Sequence, residues 1–260
     1  MSTRLTFWGA AGYQVTTPTR RFLIDPFLTG NPAAPVGPDE VEQPDAILVT
    51  HAAPDHLGDT ASIARRTGAP VLCGGDVRHL LIDQGIDPER VQATVWGIVT
   101  RIAGITVRPV ECHHWSMSTL SSGHVLTGTP LAFIVEAEPG VSIYHYGDTA
   151  IFDMTLIGEL YRPTVGLLGC TQPRELLPDI PGPGEFLSGE LTPDEAARVA
   201  EMLRLDVAIA SHYLTHNEEV DDFLRLVPEH DSSGTRLAIA PKVGETIVID
   251  GTNAYIEGAA

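Results

Sequence analysis

The sequence predicts an α/β fold in which two β-sheets pack against each other and helices cover the outside. Three observations carry this expectation. Short β-branched and aromatic runs recur along the whole chain, separated by Gly- and Pro-rich turns. Each half follows the same weak rhythm, strands first and helices later, without a true repeat of 20–50 residues. No shift in composition divides the 260 residues, so one domain over 1–260 is expected, long enough to bury a substantial core.

Leu5 to Trp8, Tyr13 to Val15 and Arg21 to Ile24 read as three short strands, with turns at Gly9 to Gly12 and at Pro18-Thr19. Asp25-Pro26-Phe27 closes the third. Thr29 to Pro44 is a long aperiodic loop, expected to act as a lid or rim beside a site because strands continue in the same rhythm on both sides. Ala46 to Val49 is a buried strand, and Asp59 to Arg66 a helix stopped by Gly68. Val71-Leu72 is a strand, Asp76 to Gln84 a helix ended by Gly85, and Gly97 to Val110 two strands around Gly104. Leu131 to Val135 and Val141 to His145 form a hairpin across Glu138-Pro139-Gly140, and Val165 to Leu168 is another buried strand. A Pro/Gly-rich loop covers Pro173 to Gly189. Thr192-Pro193-Asp194-Glu195 is a capping box that opens a helix to about Leu203. Val207 to Ala210 is a strand, Glu218 to Val227 a helix, and Leu237 to Ala240 and Thr246 to Ile249 are closing strands.

A hydrophobic fraction of 43% and a charged fraction of 19% are those of a folded globular chain. The formal net charge of −18, from 34 acidic against 16 basic residues, argues against nucleic acid as a partner: a polyanion would meet a repelling surface with no basic stripe. Cys73, Cys112 and Cys170 are too few and too scattered for a disulfide framework, which points to a reducing, cytoplasmic setting. The N-terminal stretch lacks a continuous apolar signal core, and no run approaches the roughly 18 apolar residues of a membrane span, so no membrane role is expected.

Chemistry concentrates in Thr50 to Asp59, where two histidines and two carboxylates follow an apolar strand. Strand ends elsewhere deliver more groups of the same kind: His113 and His114, then Asp148, then His212. Imidazole and carboxylate are the common non-thiolate ligands of zinc, and similar mixtures serve manganese and iron. Each has a plainer reading taken alone. A histidine after a strand is usually a hydrogen-bonded rim residue, Asp148 in Gly-Asp-Thr an Asx-turn former, and Asp55-His56 a helix cap. Their recurrence at four strand ends favours a metal centre.

With these residues in view, the chain resembles the metallo-β-lactamase fold superfamily. The matching features are His51-x-x-x-Asp55-His56 after an apolar strand, His114, Gly147-Asp148-Thr149 and Ser211-His212-Tyr213. Trp8 to Tyr13, Leu23 to Leu28, Val110 to Ser116 and Thr192 to Ala196 make it similar to the branch of L-ascorbate-6-phosphate lactonase and related metal-dependent hydrolases. The resemblance implies a four-layer αββα sandwich of two mixed β-sheets flanked by helices. It also implies a hydrolase that uses a metal-bound hydroxide on a small cyclic ester (lactone) or amide, and a homo-oligomer. One or two divalent ions per chain are implied, zinc or manganese, with iron as a further option. Carried over residue by residue, His51 and His114 belong to a first metal site and Asp55, His56 and His212 to a second, with Asp148 bridging. His114 is favoured over His113, Asp55 and Asp148 carry the catalytic roles, and Asp25 and Asp59 hold ligand imidazoles in one tautomer.

The chain departs from that pattern at Ala53, where the family has a histidine. A lopsided centre follows, with the second site complete and the first weak or absent unless His113, His145, His216 or Cys170 substitutes. The same loss moves preference from strict zinc toward a tolerant metal such as manganese. Two other readings compete: a phosphodiester hydrolase of the same fold, which the acidic balance opposes, and a non-catalytic metal- or ligand-binding descendant that lost the first site. For the substrate, Arg20, Arg21, Arg162 and Arg174 fall near candidate rim loops. Trp115, Tyr146, Phe186 and Tyr213 flank the expected ligands, as an apolar pocket or as ordinary packing.

Overall fold

The computed structural model describes residues 2–172 and 189–258. Seventeen strands lie among the described residues, beginning with β1 (Thr3–Gly9), β2 (Gly12–Thr16), β3 (Arg21–Ile24), β4 (Ala46–Leu48), β5 (Val71–Cys73) and β6 (Val91–Ala93). Next come β7 (Thr100–Ile102), β8 (Ile105–Val110), β9 (Ser116–Thr119), β10 (Val125–Gly128), β11 (Ala132–Glu138) and β12 (Val141–His145). The last five are β13 (Val165–Gly169), β14 (Val207–Ser211), β15 (Leu237–Ile239), β16 (Thr246–Asp250) and β17 (Asn253–Ile256). The helices are α1 (Pro54–Leu57), α2 (Thr60–Thr67), α3 (Gly75–Asp83), α4 (Thr155–Tyr161), α5 (Pro193–Met202) and α6 (Glu218–His230).

Two mixed sheets form, ordered β17-β16-β1-β2-β3-β4-β5-β6 and β15-β14-β13-β12-β11-β8-β7, with β10-β9 as a separate ribbon. Alternation along the strands decides how they stack. Phe22, Ile24, Ala46 and Leu48 point into a core shared with Val107, Phe133, Val135, Ile143, Leu167 and Ile209 of the second sheet. The intervening Leu23, Ile47 and Val49 face the other way, onto Ile63 and Ala64 of α2 and Val77 and Leu81 of α3. Both faces of the central strands are therefore apolar, as parallel strands covered on two sides require. On the far side, Ala196, Ala197 and Val199 of α5 and Phe223 and Val227 of α6 pack on the second sheet. The result is helix, sheet, sheet, helix, the four-layer sandwich the resemblance implied.

The capping box forms as the sequence indicates: the Thr192 side chain accepts from the Glu195 N–H, and the Glu195 carboxylate accepts from the Thr192 N–H at 2.9 Å. Other elements differ from expectation. α6 continues past Val227 to His230, because Pro228 so near its end forfeits only one backbone donor. β6, β9, β10, β17 and α4 are elements the sequence did not announce; β10, for example, is largely exposed and lacks the covered face that alternation marks. The loop from Thr29 to Pro44 is fastened onto α2: the Arg66 guanidinium donates to the carbonyls of Pro38 and Val41, and Val41 joins the apolar layer beneath that helix. The loop covering Pro173 to Gly189 lies, apart from Gly189, outside the described residues.

Gly58 marks a close approach that the site depends on. Its φ is +45°, and a Cβ there would lie 2.4 Å from the Pro26 carbonyl oxygen. Only glycine lets the end of α1 sit against the loop after β3. Gly58→Ala is expected to cost about 2–4 kcal/mol, since it combines backbone strain with a clash against main chain. Chemical denaturation checks this: the midpoint should fall with the slope unchanged.

Candidate metal centre

β8 and β12 both pair antiparallel with β11, and β12, β13 and β14 are parallel, so the C-terminal ends of β8, β12 and β14 share one edge of the second sheet. His114, Asp148 and His212 follow those ends. From the first sheet, β4 leads through Thr50 to His51, and α1 then presents Asp55 and His56. Two sets of backbone bonds join the sheets here. Leu131 N–H donates to Thr50 O at 3.0 Å, while His212 N–H donates to Ala10 O at 2.8 Å and Ala10 N–H to Tyr213 O at 3.1 Å.

Asp55, His56, Asp148 and His212 offer four donor atoms within 4.8 Å of one another, and His51, His114 and Asp148 offer three under the same limit. Asp148 belongs to both groups. Its Oδ2 lies 2.8 Å from His56 Nε2, 3.4 Å from His212 Nε2 and 3.8 Å from His51 Nε2. Asp55 Oδ2 is 3.5 Å from His212 Nε2.

The outer nitrogens explain the orientation of the rings. His56 Nδ1 donates to Asp25 Oδ2 at 2.7 Å. The Thr50 hydroxyl gives its one proton to Asp25 Oδ2 at 2.7 Å and so accepts from His51 Nδ1 at 3.0 Å. His114 Nδ1 donates to Gly189 O at 3.0 Å, and His212 Nδ1 to Thr171 O at 3.1 Å. With Nδ1 as donor in all four, each Nε2, once free of its proton, offers its lone pair toward the others. Nε2 of His51, His56 and His212, and Oδ1 of Asp148, are buried without a hydrogen-bond partner. Buried acceptors converging without a donor are costly unless a cation meets them. The donor set therefore fits a divalent metal ion.

The electrostatics agree. Burial would lower the His56 and His212 imidazoles, but Asp148 with Asp25 and Asp55 around the first, and Asp148 with Glu190 around the second, hold both well above the usual 6.5. Burial, with His56 and His114 close by, pushes His51 well below it. Burial would raise Asp148, yet His212 and His56 hold its carboxyl well below the ordinary range. The backbone is unusual at the same places: Asp25, Asp148 and His212 have φ of 45°, 65° and 69°. Such left-handed conformations cluster where structure is spent on function. Gly147, also left-handed, is required sterically, since a Cβ would lie 2.2 Å from Leu131 O.

All six expected ligands come together, and His114 rather than His113 enters a donor group. His113 instead pairs with Glu111 at 2.7 Å and stacks on Phe152. None of the suggested substitutes for the missing imidazole belongs to either group. His145 donates from Nε2 to Ala11 O, His216 pairs with Asp221, and the Cys170 thiol turns to Ser211 O. The Asp55-His56 pair is not a helix cap, because Ala53 holds the N-cap position of α1.

Asp25 holds an imidazole as expected, but Asp59 does not. Its carboxylate accepts from the backbone N–H groups of Leu28 and Thr29 and from the Thr29 hydroxyl, anchoring the loop after β3. Arg20, Arg21 and Arg162 also fall elsewhere. Arg20 precedes and Arg21 begins β3, and Arg162 caps α4 beside the start of β12, the edge opposite the centre. Arg174 and Phe186 lie outside the described residues. Tyr213 is a packing residue, its hydroxyl donating to Pro241 O. Tyr146 is fully buried with an unpartnered hydroxyl and meets His212 edge-on at 6.0 Å between ring centroids, while Trp115 leans on His114 at 5.4 Å.

Glu190 escaped the sequence reading. Its Oε2 lies 2.6 Å from His212 Nδ1, and the residue is 7% exposed. An acid just before a capping box reads as solvated loop, and no local signal marks it as buried.

A family model described as "Beta-lactamase superfamily domain" matches residues 20–213. A UPF0173 metal-dependent hydrolase of Methanopyrus kandleri is 38% identical over 230 residues, 87% of this chain and 92% of the relative. Another, of Rubrobacter xylanophilus, is 37% identical over 216 residues, 82% of each chain. Among solved structures, a metallo hydrolase from the archaeon Ignicoccus hospitalis shares the fold with a TM-score of 0.73 at 24% identity, covering 96% of this chain and 99% of that one.

The shifts set a pH dependence for metal-stripped protein. Because His56 and His212 are raised above 6.5, their pairing with carboxylates stabilises the fold fully below that pH and is lost as pH rises through the raised values. The depressed Asp148 contributes above the ordinary carboxylate range and loses its contribution as pH falls toward its lowered value. Melting in chelator should therefore decline as pH rises from 6.5 toward the raised imidazole values, since the buried His51, held well below 6.5, is already neutral there and adds no opposing change. Protein saturated with zinc should not show this decline, because the ion takes the place of the protons. Identical pH profiles for the two forms would sink the assignment.

Proposed function

The chain belongs to the β-lactamase superfamily, within the UPF0173 metal-dependent hydrolases, and from that premise we propose that it hydrolyses a small, weakly charged cyclic ester or amide at the centre between its sheets. The observation that carries this reading is the convergence of buried, unpartnered Nε2 atoms from His51, His56 and His212 on Asp148. His56, His212, Asp55 and Asp148 would hold the tighter ion, and His51, His114 and Asp148 would form the weaker position, because residue 53 is alanine. Nitrogen and oxygen donors without thiolate suit zinc, manganese or ferrous iron. When bound, the ion supplies Lewis-acid charge and brings the pKa of water near neutrality.

The protein groups divide the remaining work. Asp148 stays ionised between imidazoles and serves as a charge anchor that both positions share. Asp55 is held below the usual carboxylate range despite its burial, so it stays ionised and can both help hold the ion and orient the attacking water. Trp115, half-buried against His114, presents apolar surface beside the ligands, and Arg20, Arg21 and Arg162 lie at the opposite sheet edge. That arrangement, with a net charge of −18, favours a weakly charged substrate over a phosphodiester.

Ala53 also favours a second reading, a metal-dependent binding protein that no longer turns over. A panel of lactones, cyclic amides and phosphodiesters, assayed with added zinc and manganese, separates the two. Turnover of a lactone or amide is expected; tight binding without any turnover would favour the second reading. Asp148→Ala should bind less than about 0.2 equivalents of metal and lose activity by about 10³-fold or more. Elemental analysis of the purified variant checks the first value, and retention of metal would overturn the centre.

A further inference from the structure

We propose that Asp76 and Ser116 are positioning residues for the three-donor group, bracing His51 against His114 so that this group holds a second divalent ion although residue 53 is alanine. The inference rests on the metal reading of the centre and concerns residues that this reading does not use.

The Ser116 hydroxyl accepts from the Ala52 N–H at 3.1 Å and donates to the Asp76 carboxylate. Ala52 is the residue after His51, and Ser116 is two residues beyond His114. One side chain therefore pins together the two chain segments that carry the imidazoles unique to this group. Both members are buried, Ser116 at 3% exposure and Asp76 at 4%.

The surroundings are shaped for this contact. Gly128 on β10 stands opposite Ser116 in register. A Cβ at Gly128 would lie 2.0 Å from Asp76 Oδ1, so the carboxylate occupies space that any other residue would take. Asp76 sits in the first turn of α3, where the helix dipole favours a negative charge. By taking the Ser116 proton, Asp76 leaves the hydroxyl lone pairs turned toward Ala52.

The brace acts on chain segments and not on rings, since the outer nitrogens of His51, His114, His56 and His212 meet Thr50, Gly189, Asp25 and Thr171, and neither His56 nor His212 adjoins a braced residue as His51 adjoins Ala52. The His51 and His114 rings meet edge-to-face with centroids 5.0 Å apart. Three donors bind an ion usefully only if little ordering remains when it arrives. A brace between the two ring-bearing segments supplies that order where a third imidazole is missing.

The test is metal titration of the full chain against a chromophoric chelator, with cobalt absorption as a second readout. Wild type should take up about two equivalents, the second more weakly. Ser116→Ala should weaken the second equivalent by about 10- to 100-fold, leave the first unchanged, and alter the cobalt spectrum of the second ion alone. Asp76→Asn should act in the same direction, and Ser116→Thr, which keeps the hydroxyl, should restore binding. Adding Ala53→His should make the second equivalent insensitive to Ser116→Ala. That arm also serves if the single variant fails to fold, since Asp76→Asn can be paired with the same histidine. Saturation of wild type at one equivalent would overturn the proposal, as would equal loss of both ions or of neither in the variants. Wild type that takes up no metal would instead overturn the metal reading itself.

Discussion

The Asp25 carboxylate, fully buried at the end of β3, is the interaction on which the rest of the centre depends. It accepts from the Thr50 backbone N–H at 2.8 Å, from the Thr50 hydroxyl and from His56 Nδ1. Three donors on one carboxylate tie the end of β3 to the end of β4 and fix the His56 ring. Through the Thr50 hydroxyl they fix the His51 ring as well. One imidazole of each donor group thus takes its orientation from the same carboxylate. A buried network of this kind orders its members strongly when every one is satisfied.

The layers were legible in the sequence because their signal is local. Phe22, Leu23 and Ile24 alternate between two apolar environments, which marks a strand covered on both faces. Thr192 and Glu195 announce a helix start with two bonds of known geometry. The six residues of the two donor groups were legible because imidazoles and carboxylates at strand ends are chemically conspicuous and follow the order of the resemblance. What escaped is what only three-dimensional proximity creates. Glu190 becomes buried through its neighbours, and Asp59 serves a loop rather than a ring because Gly58 brings α1 onto Pro26. Arg20, Arg21 and Arg162 fall away from the centre because they stand at or beside the starts of β3 and β12, whose other ends lead to it. β9 and β10 were missed for the same reason: their value lies in what Ser116 and Gly128 touch, not in their hydrophobicity.

The centre is lopsided in more than its donor count. His56 and His212 are surrounded by carboxylates that favour positive charge, while His51 stands next to other imidazoles that disfavour it. The electrostatic field therefore favours a cation on the same side as the larger donor set. Backbone strain is placed there as well, with Asp148 and His212 both in the left-handed region. The packing around them holds that conformation through backbone bonds to Ala10 and through the space left open at Gly147.

The pair of bonds between Ala10 and the His212-Tyr213 turn joins the first hairpin of the chain to one of its last strands. A ribosome must release nearly the whole sequence before that contact can close, and contacts of such separation form late in folding. Asp55 and His56 emerge early and wait as an open half-site, while Asp148 and finally His212 complete it. The two donor groups are therefore both whole only after His212 has joined the turn at Ala10, a late event in the making of this chain.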